Sequence, residues 1–190
     1  EAGIKALKDG HHGYTPSQGI IELRESVKND IFKRYKTNVE IDLIQIVPGG
    51  KPIMFIAMLI LGGKNNEILT PDPGFPIYQS AINFSGARSI SYKLDEKSGF
   101  SLNADEIISK ITKNTRLIIL NSPANPTGGV NNQNEIEKLL NFIEKYPDLY
   151  ILSDEIYDRL IFDKKPTSLL SYENIRDRLI VLNGWSKTYA

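Results

Sequence analysis

Four short stretches set reactive side chains among small or rigid neighbours. In Asn183-Gly184-Trp185-Ser186-Lys187-Thr188-Tyr189 a lysine stands between hydroxyl and aromatic residues. Most lysines are solvated surface charges, but one at a strand end in an enclosed pocket can lose its proton and act as an amine nucleophile. In Ser153-Asp154-Glu155-Ile156-Tyr157 a carboxylate precedes a phenol by three residues. Asp154 could meet a cation in a partly desolvated crevice, or cap a helix; Glu155 reads as solvated or structural. In Ser122-Pro123-Ala124-Asn125-Pro126-Thr127-Gly128-Gly129, two prolines and two glycines hold a rigid turn. That turn presents Asn125 as a fixed amide, unless the amide caps its own backbone. In Pro48-Gly49-Gly50-Lys51-Pro52, glycines before a helix bare backbone N–H groups to an anion, for which a phosphate is a natural guest, or simply make a tight turn. Neither a Walker loop nor a GxGxxG fingerprint is present.

These stretches follow apolar runs at regular intervals. Leu43–Val47, Glu67–Thr70, Ser89–Tyr92, Thr115–Asn121, Leu149–Ser153 and Arg178–Leu182 read as strands. Between or before them, Ile21–Tyr35, Pro52–Leu61, Ile77–Phe84, Asn103–Ile111 and Asn134–Tyr146 read as helices. Pro52 falls in a first turn, and Asn103 is an N-cap with Glu106 three residues on. Pro52–Leu61 is apolar almost all round, which predicts a buried helix. Strands separated by helix-length patterns predict βαβ units and an α/β fold with a mostly parallel sheet. Continuously apolar strands predict helices on both faces, so three α/β/α layers. Ligands of such sheets bind beyond the carboxyl ends of the strands, where the four stretches lie.

Composition narrows the classes. The chain has 190 residues, 23 Lys+Arg against 23 Asp+Glu, no cysteine and two histidines. Zero net charge argues against nucleic acid or an anionic membrane as main partner. The absence of cysteine removes disulfides, thiolate zinc sites and a cysteine nucleophile, and two histidines make a multi-histidine metal cluster improbable. No apolar run reaches the roughly 18 residues of a membrane helix, and no signal peptide is evident, so the expected location is cytoplasmic. The start at Glu1 and the end at Ala190 suggest a piece of a longer polypeptide.

A phosphate cradle, an amide, a carboxylate, a phenol and a lysine at successive strand ends are what a pyridoxal phosphate site needs. The motifs GYTPSQGIIELRESV, NSPANPTGG, SDEIYDRL and SKTYA resemble those of the class I/II aminotransferases, pyridoxal-phosphate enzymes of the aspartate aminotransferase fold. The spacings fit as well, with 29 positions from Asn125 to Asp154 and 33 from Asp154 to Lys187. The resemblance implies that residues 1–190 are an incomplete large cofactor-binding domain with residues 1–15 as a lead-in. It makes Lys187 the Schiff-base lysine and proton shuttle, and Asp154 the partner of the pyridine nitrogen. Tyr157 and Asn125 become partners of the ring hydroxyl, and Ser186, Gly50 and Lys51 ligands of the phosphate. Phe75 becomes the stacking aromatic, with Tyr78 as a substitute. Tyr14 matches a tyrosine that reaches the neighbouring subunit's phosphate, which implies a homodimer; otherwise it is a packed aromatic before Pro16. Arg24 is expected in a helix-surface ion pair.

The family's substrate-carboxylate arginine lies beyond the matching motifs, so the chain by itself is expected to lack that anchor. The implied reaction moves an amino group from an amino acid, aspartate or a related small one, to a 2-oxo acid. The same site could run β-elimination or decarboxylation, since substrate orientation decides which bond breaks. The domain also occurs in transcription regulators, a reading that zero charge and an aminotransferase-like N-terminus from roughly residue 10 do not favour.

Overall fold

The computed structural model describes residues 1–162 and 167–189, in two compact units, Glu1–Val47 and Pro48–Ala190. Among the described residues no helix is long and apolar enough to cross a membrane.

The first unit holds α1 (Ala2–Lys8) and α2 (Ile21–Tyr35). Arg24 of α2 is buried, with only 6% exposure. Its Nε donates to the Ile44 carbonyl at 3.1 Å, and its Nη2 to the Ile41 carbonyl at 2.7 Å and to Asp42 Oδ1 at 3.0 Å. The expected ion pair is present, with Asp42, but Arg24 itself is buried rather than on the helix surface and also clips two main-chain carbonyls. The same contacts explain why the expected strand Leu43–Val47 is absent. The chain makes a 3₁₀ turn at Ile41–Leu43, Arg24 takes the carbonyls, and the Ile46 N–H donates to Gln18 O at 3.0 Å. Local partners thus satisfy backbone groups that a sheet neighbour would otherwise have to meet. Gly19 makes this approach possible: its φ is +94°, and a Cβ there would come within 2.7 Å of Ile46 Cβ.

The second unit is a five-stranded sheet with helices on both faces. Its elements are α3 (Lys51–Leu61), β1 (Glu67–Asp72), α4 (Pro76–Ser85), β2 (Arg88–Lys93), α5 (Ala104–Ile108), β3 (Thr115–Asn121), α6 (Gln133–Ile143), β4 (Tyr150–Asp154), β5 (Leu179–Leu182) and α7 (Trp185–Thr188). The strand order is β2-β1-β3-β4-β5 and every neighbouring pair is parallel, as the apolar runs predict. One face packs Ile118, Leu120 and Ile151 against Ile107, Leu139 and Ile143 of α5 and α6. The other packs Ile68, Leu117, Ile119 and Leu152 against Met54, Met58, Tyr78 and Ile82 of α3 and α4. Burying each such aliphatic side chain contributes roughly 1.5–3 kcal/mol, so the two clusters dominate what holds the layers together.

Local signals explain the helix ends. Asn103 Oδ1 accepts from the Glu106 N–H at 3.1 Å, the expected N-cap. The Glu106 carboxylate does not reach back to complete a capping box; it accepts from the Lys93 N–H at 3.1 Å and so ties α5 to β2. The helix expected to reach Tyr146 ends at Ile143, because Pro147 disfavours helical backbone ahead of it. The largest departure is α3. Met54, Ala57 and Met58 are buried, but Phe55, Ile56, Leu59 and Ile60 are exposed. A sheet face covers only one stripe of a helix, so an all-round apolar sequence does not make an all-round buried helix here.

Candidate functional site

The geometry of a parallel sheet directs attention to the carboxyl ends of β3, β4 and β5. Asp154 is the last residue of β4, paired in register with Asn121 of β3 and Leu182 of β5. It is 2% exposed. Its Oδ2 accepts from the Tyr78 hydroxyl at 2.5 Å, and its Oδ1 from the Ile156 N–H at 3.2 Å. Burial pushes the Asp154 carboxyl above the usual range, and these two bonds only partly offset it. Among the described residues it forms no ion pair within 4 Å.

Tyr78 is buried too, and its phenol is held well above its ordinary pKa, first by burial and then by the Asp154 charge. The sequence reading has Tyr78 only as a stand-in for Phe75. The structure gives the two different places: Phe75 is half-buried and meets the Tyr78 ring edge-on, 5.8 Å between centroids. A buried phenol in the first turn of α4 needs an acceptor, and the strand-end carboxylate supplies it.

Asn125 is half-buried, in the turn after β3. Its side chain does not cap that turn; Asn121 does. Asn121 Oδ1 accepts from the Asn125 N–H at 2.8 Å, while its Nδ2 donates to Asp154 O at 3.0 Å and to Pro123 O at 3.3 Å. Asn121 escaped the sequence reading because a polar residue closing an apolar run reads as the end of a strand.

Gly50 is the N-cap of α3, and Lys51 opens the helix. A Cβ at Gly50 would lie 3.2 Å from Leu182 Cδ2, so this helix start sits against the end of β5. Ser186 and Lys187 lie on α7 and are exposed; Lys187 Nζ is 5.7 Å from the ring centroid of Tyr157, which is half-buried. Nothing among the described residues encloses the lysine as the sequence reading imagined. In the first unit Tyr14 is fully exposed, not packed before Pro16.

Glu155 is not solvated. It is 3% exposed, and burial pushes it up to about 7, although Ser168 and Ser153 hydroxyls and the Leu169 N–H bond to it. The structural reading of Glu155 fits these bonds, since they tie the end of β4 to the 168–169 segment. Its folded-state pKa lies above the unfolded 4.5, so the stability it contributes is complete below about pH 4.5 and lost as pH rises through about 7. The swing is on the order of 3 kcal/mol. Glu155→Gln keeps an acceptor oxygen and no longer titrates. The melting temperature of the wild type is expected to fall by several degrees between pH 5 and 8, and that of the variant to fall much less. An equal fall in both would remove Glu155 as the cause.

Comparison with known proteins gives the family to which this fold belongs. The family model for aminotransferase class I and II matches residues 1–190. The chain is 38% identical, over its whole length, to a probable aspartate aminotransferase from Methanocaldococcus jannaschii, of which it covers 49%. Among solved structures, an aromatic aminotransferase from Pyrococcus horikoshii superposes on 98% of the chain with a TM-score of 0.92 and 31% identity, and 50% of that protein is covered. An alanine aminotransferase from Pyrococcus furiosus superposes on 96% of the chain with a TM-score of 0.90 and 29% identity, with 46% of it covered. The chain thus spans about half the length of the proteins it matches. With a family model matched end to end over a parallel sheet of the same architecture, the chain belongs to the class I and II aminotransferases.

Proposed function

We propose that this chain is the pyridoxal-phosphate-binding part of an aminotransferase that moves an amino group between an amino acid and a 2-oxo acid. The observation that carries the reading is Asp154. It is a buried carboxylate at a strand end, held by one phenol and one backbone N–H, with no cationic side chain within 4 Å of it among the described residues. Such a group is the chemical complement of a protonated ring nitrogen, and its burial cost is relieved when that charge arrives. The donor set around it fits the rest of the cofactor.

In this reading Asp154 would hold the pyridine nitrogen and Phe75 would supply the stacking aromatic. Asn125 and Tyr157 bond to the ring hydroxyl. The first-turn N–H groups of α3 at Gly50 and Lys51, with the Ser186 hydroxyl, take the phosphate; Pro52 has no N–H to offer. Tyr14 adds a phosphate contact from a second copy, so the working unit is a homodimer. When bound, pyridoxal phosphate supplies an aldehyde that condenses with amines and a ring that draws electrons from the substrate's α-carbon. The chain does the remaining work. Lys187 would supply the amine that holds the cofactor, and its Nζ would take and return the α-carbon proton. Tyr78 and the Ile156 N–H fix the Asp154 carboxylate, so that it would face the ring nitrogen in one orientation. The Asn121 amide holds the Asn125 turn against β4. Aspartate or a related small amino acid is the proposed donor, supported by the name of the Methanocaldococcus relative and by nothing in a side-chain pocket.

Covalent trapping tests the reading. The chain is mixed with pyridoxal phosphate and reduced with borohydride, and the phosphopyridoxyl group is located by mass spectrometry. A label concentrated on Lys187 is the expected result. Label scattered over surface lysines, or none, would overturn the assignment for this chain.

A further inference from the structure

The turn that carries Asp154 and Tyr157 and the turn that carries Lys187 lie some thirty residues apart in sequence, and the structure laces them together. The Glu155 N–H donates to Leu182 O at 2.8 Å. Gly184 sits over Ile156 so closely that a Cβ there would come within 3.0 Å of Ile156 Cδ1. Asn183 then makes two bonds with one side chain: Nδ2 donates to Asp158 Oδ2 at 2.9 Å, and Oδ1 accepts from the Gly184 N–H at 2.7 Å. Asp158 is 4% exposed, so the first of these bonds is largely shielded from water.

Those bonds matter because little else places the lysine. The sheet ends at Leu182, and Gly184 has no side chain to pack. The four-residue helix α7 buries none of its residues, so no hydrophobic face seats it. Among the described residues its far end meets Arg159, whose Nη1 donates to the Tyr189 hydroxyl at 3.1 Å and whose guanidinium lies 5.7 Å from the Tyr189 ring centroid. Asn183 is the point where the path from β5 to Lys187 is fixed on the path from β4 to Tyr157. Leucine has neither the donor nor the acceptor, and serine is too short to span both partners.

We propose that Asn183 and Asp158 are a positioning pair. They set the stance of the Lys187 helix over the Asp154–Tyr157 turn, and neither touches the reacting atoms. The proposal rests on the reading of Lys187 given above for its catalytic meaning, but not for its structural content. Misplacing a reacting group by about 1 Å can cost on the order of a hundredfold in rate, which is what a loosened α7 would do.

Hydrogen exchange in the cofactor-free chain tests the pair without any turnover. In Asn183→Leu the amides of residues 184–188 are expected to exchange at least tenfold faster than in the wild type, while those of β3 keep their protection. Asp158→Leu should also loosen 184–188, and the double variant should exchange no faster than Asn183→Leu, because the Asn183–Asp158 bond is lost in all three and Asn183→Leu already frees the Gly184 N–H. Asp158→Asn keeps an acceptor oxygen and should restore wild-type exchange. In borohydride trapping, the leucine variants should place several-fold less of the total label on Lys187. Unchanged exchange at 184–188 in Asn183→Leu would overturn the pair, as would an Asp158→Asn variant as loose as Asp158→Leu. If Asn183→Leu does not fold, the Asp158→Leu and Asp158→Asn comparison decides alone. Wild-type labelling at Lys187 tests the cofactor reading, and exchange at 184–188 tests the pair, so either can fail without the other.

Discussion

Lys187→Ala is expected to abolish turnover in the cofactor-loaded protein, by at least about 10⁴-fold, while pyridoxal phosphate still binds noncovalently. In the proposed function two tasks fall on one nitrogen: anchoring the cofactor and moving the α-carbon proton. A positioned general base alone is worth about 10²–10⁴-fold, and the variant has no other amine in its place. Binding survives because the ring nitrogen, ring hydroxyl and phosphate are assigned to Asp154, Asn125, Tyr157 and the start of α3. Fold should survive too, since Lys187 is exposed and α7 buries nothing. The check is steady-state transamination beside a dialysis assay of retained cofactor. A normal rate would remove Lys187 from the chemistry, and loss of the noncovalent binding as well would show that the other contacts are too weak.

Asp154→Asn is expected to leave the sheet intact and lower turnover by about two to four orders of magnitude. Breaking a buried charge pair by removing one partner costs about 3–5 kcal/mol, and each 1.4 kcal/mol is about tenfold in rate. In asparagine Oδ1 can still accept from the Ile156 N–H, while the second position becomes an NH2 that donates to the Tyr78 hydroxyl, so both contacts persist with the phenol bond reversed. What disappears is the negative charge that, in the proposed function, would keep the ring nitrogen protonated. Unfolding curves should therefore move little, or toward greater stability, because a carboxylate disfavoured by burial has been replaced by a neutral amide. A near-normal rate with intact folding would sink the electron-drawing role of Asp154.

The strands were legible wherever burial was continuous. Thr115–Asn121 and the run through Ser153 carry apolar side chains on both faces, and the structure buries both faces. Leu43–Val47 has the same composition but no sheet partner, because the competition is settled by Arg24 and Gln18, whose reach along the chain no periodicity records. The candidate site was legible as a set of strand-end residues, since topology alone sends ligands there. Its supporting bonds were not. Tyr78, Asn121, Asn183 and Asp158 act through hydrogen bonds to residues far away in sequence, and each by itself looks like an ordinary polar or aromatic position.

Asn121 has a consequence for how the molecule loosens on heating. Its side chain bridges the Asn125 turn and the last peptide of β4, and the Ser122 N–H adds a second bond to Asp154 O at 3.2 Å. The turn is therefore wired into the middle of the sheet, between β3 and β4, and not hung from its rim. Loops commonly fray ahead of the core. With these bonds to β4, this one is expected to keep the exchange protection of the central strands and to open with them.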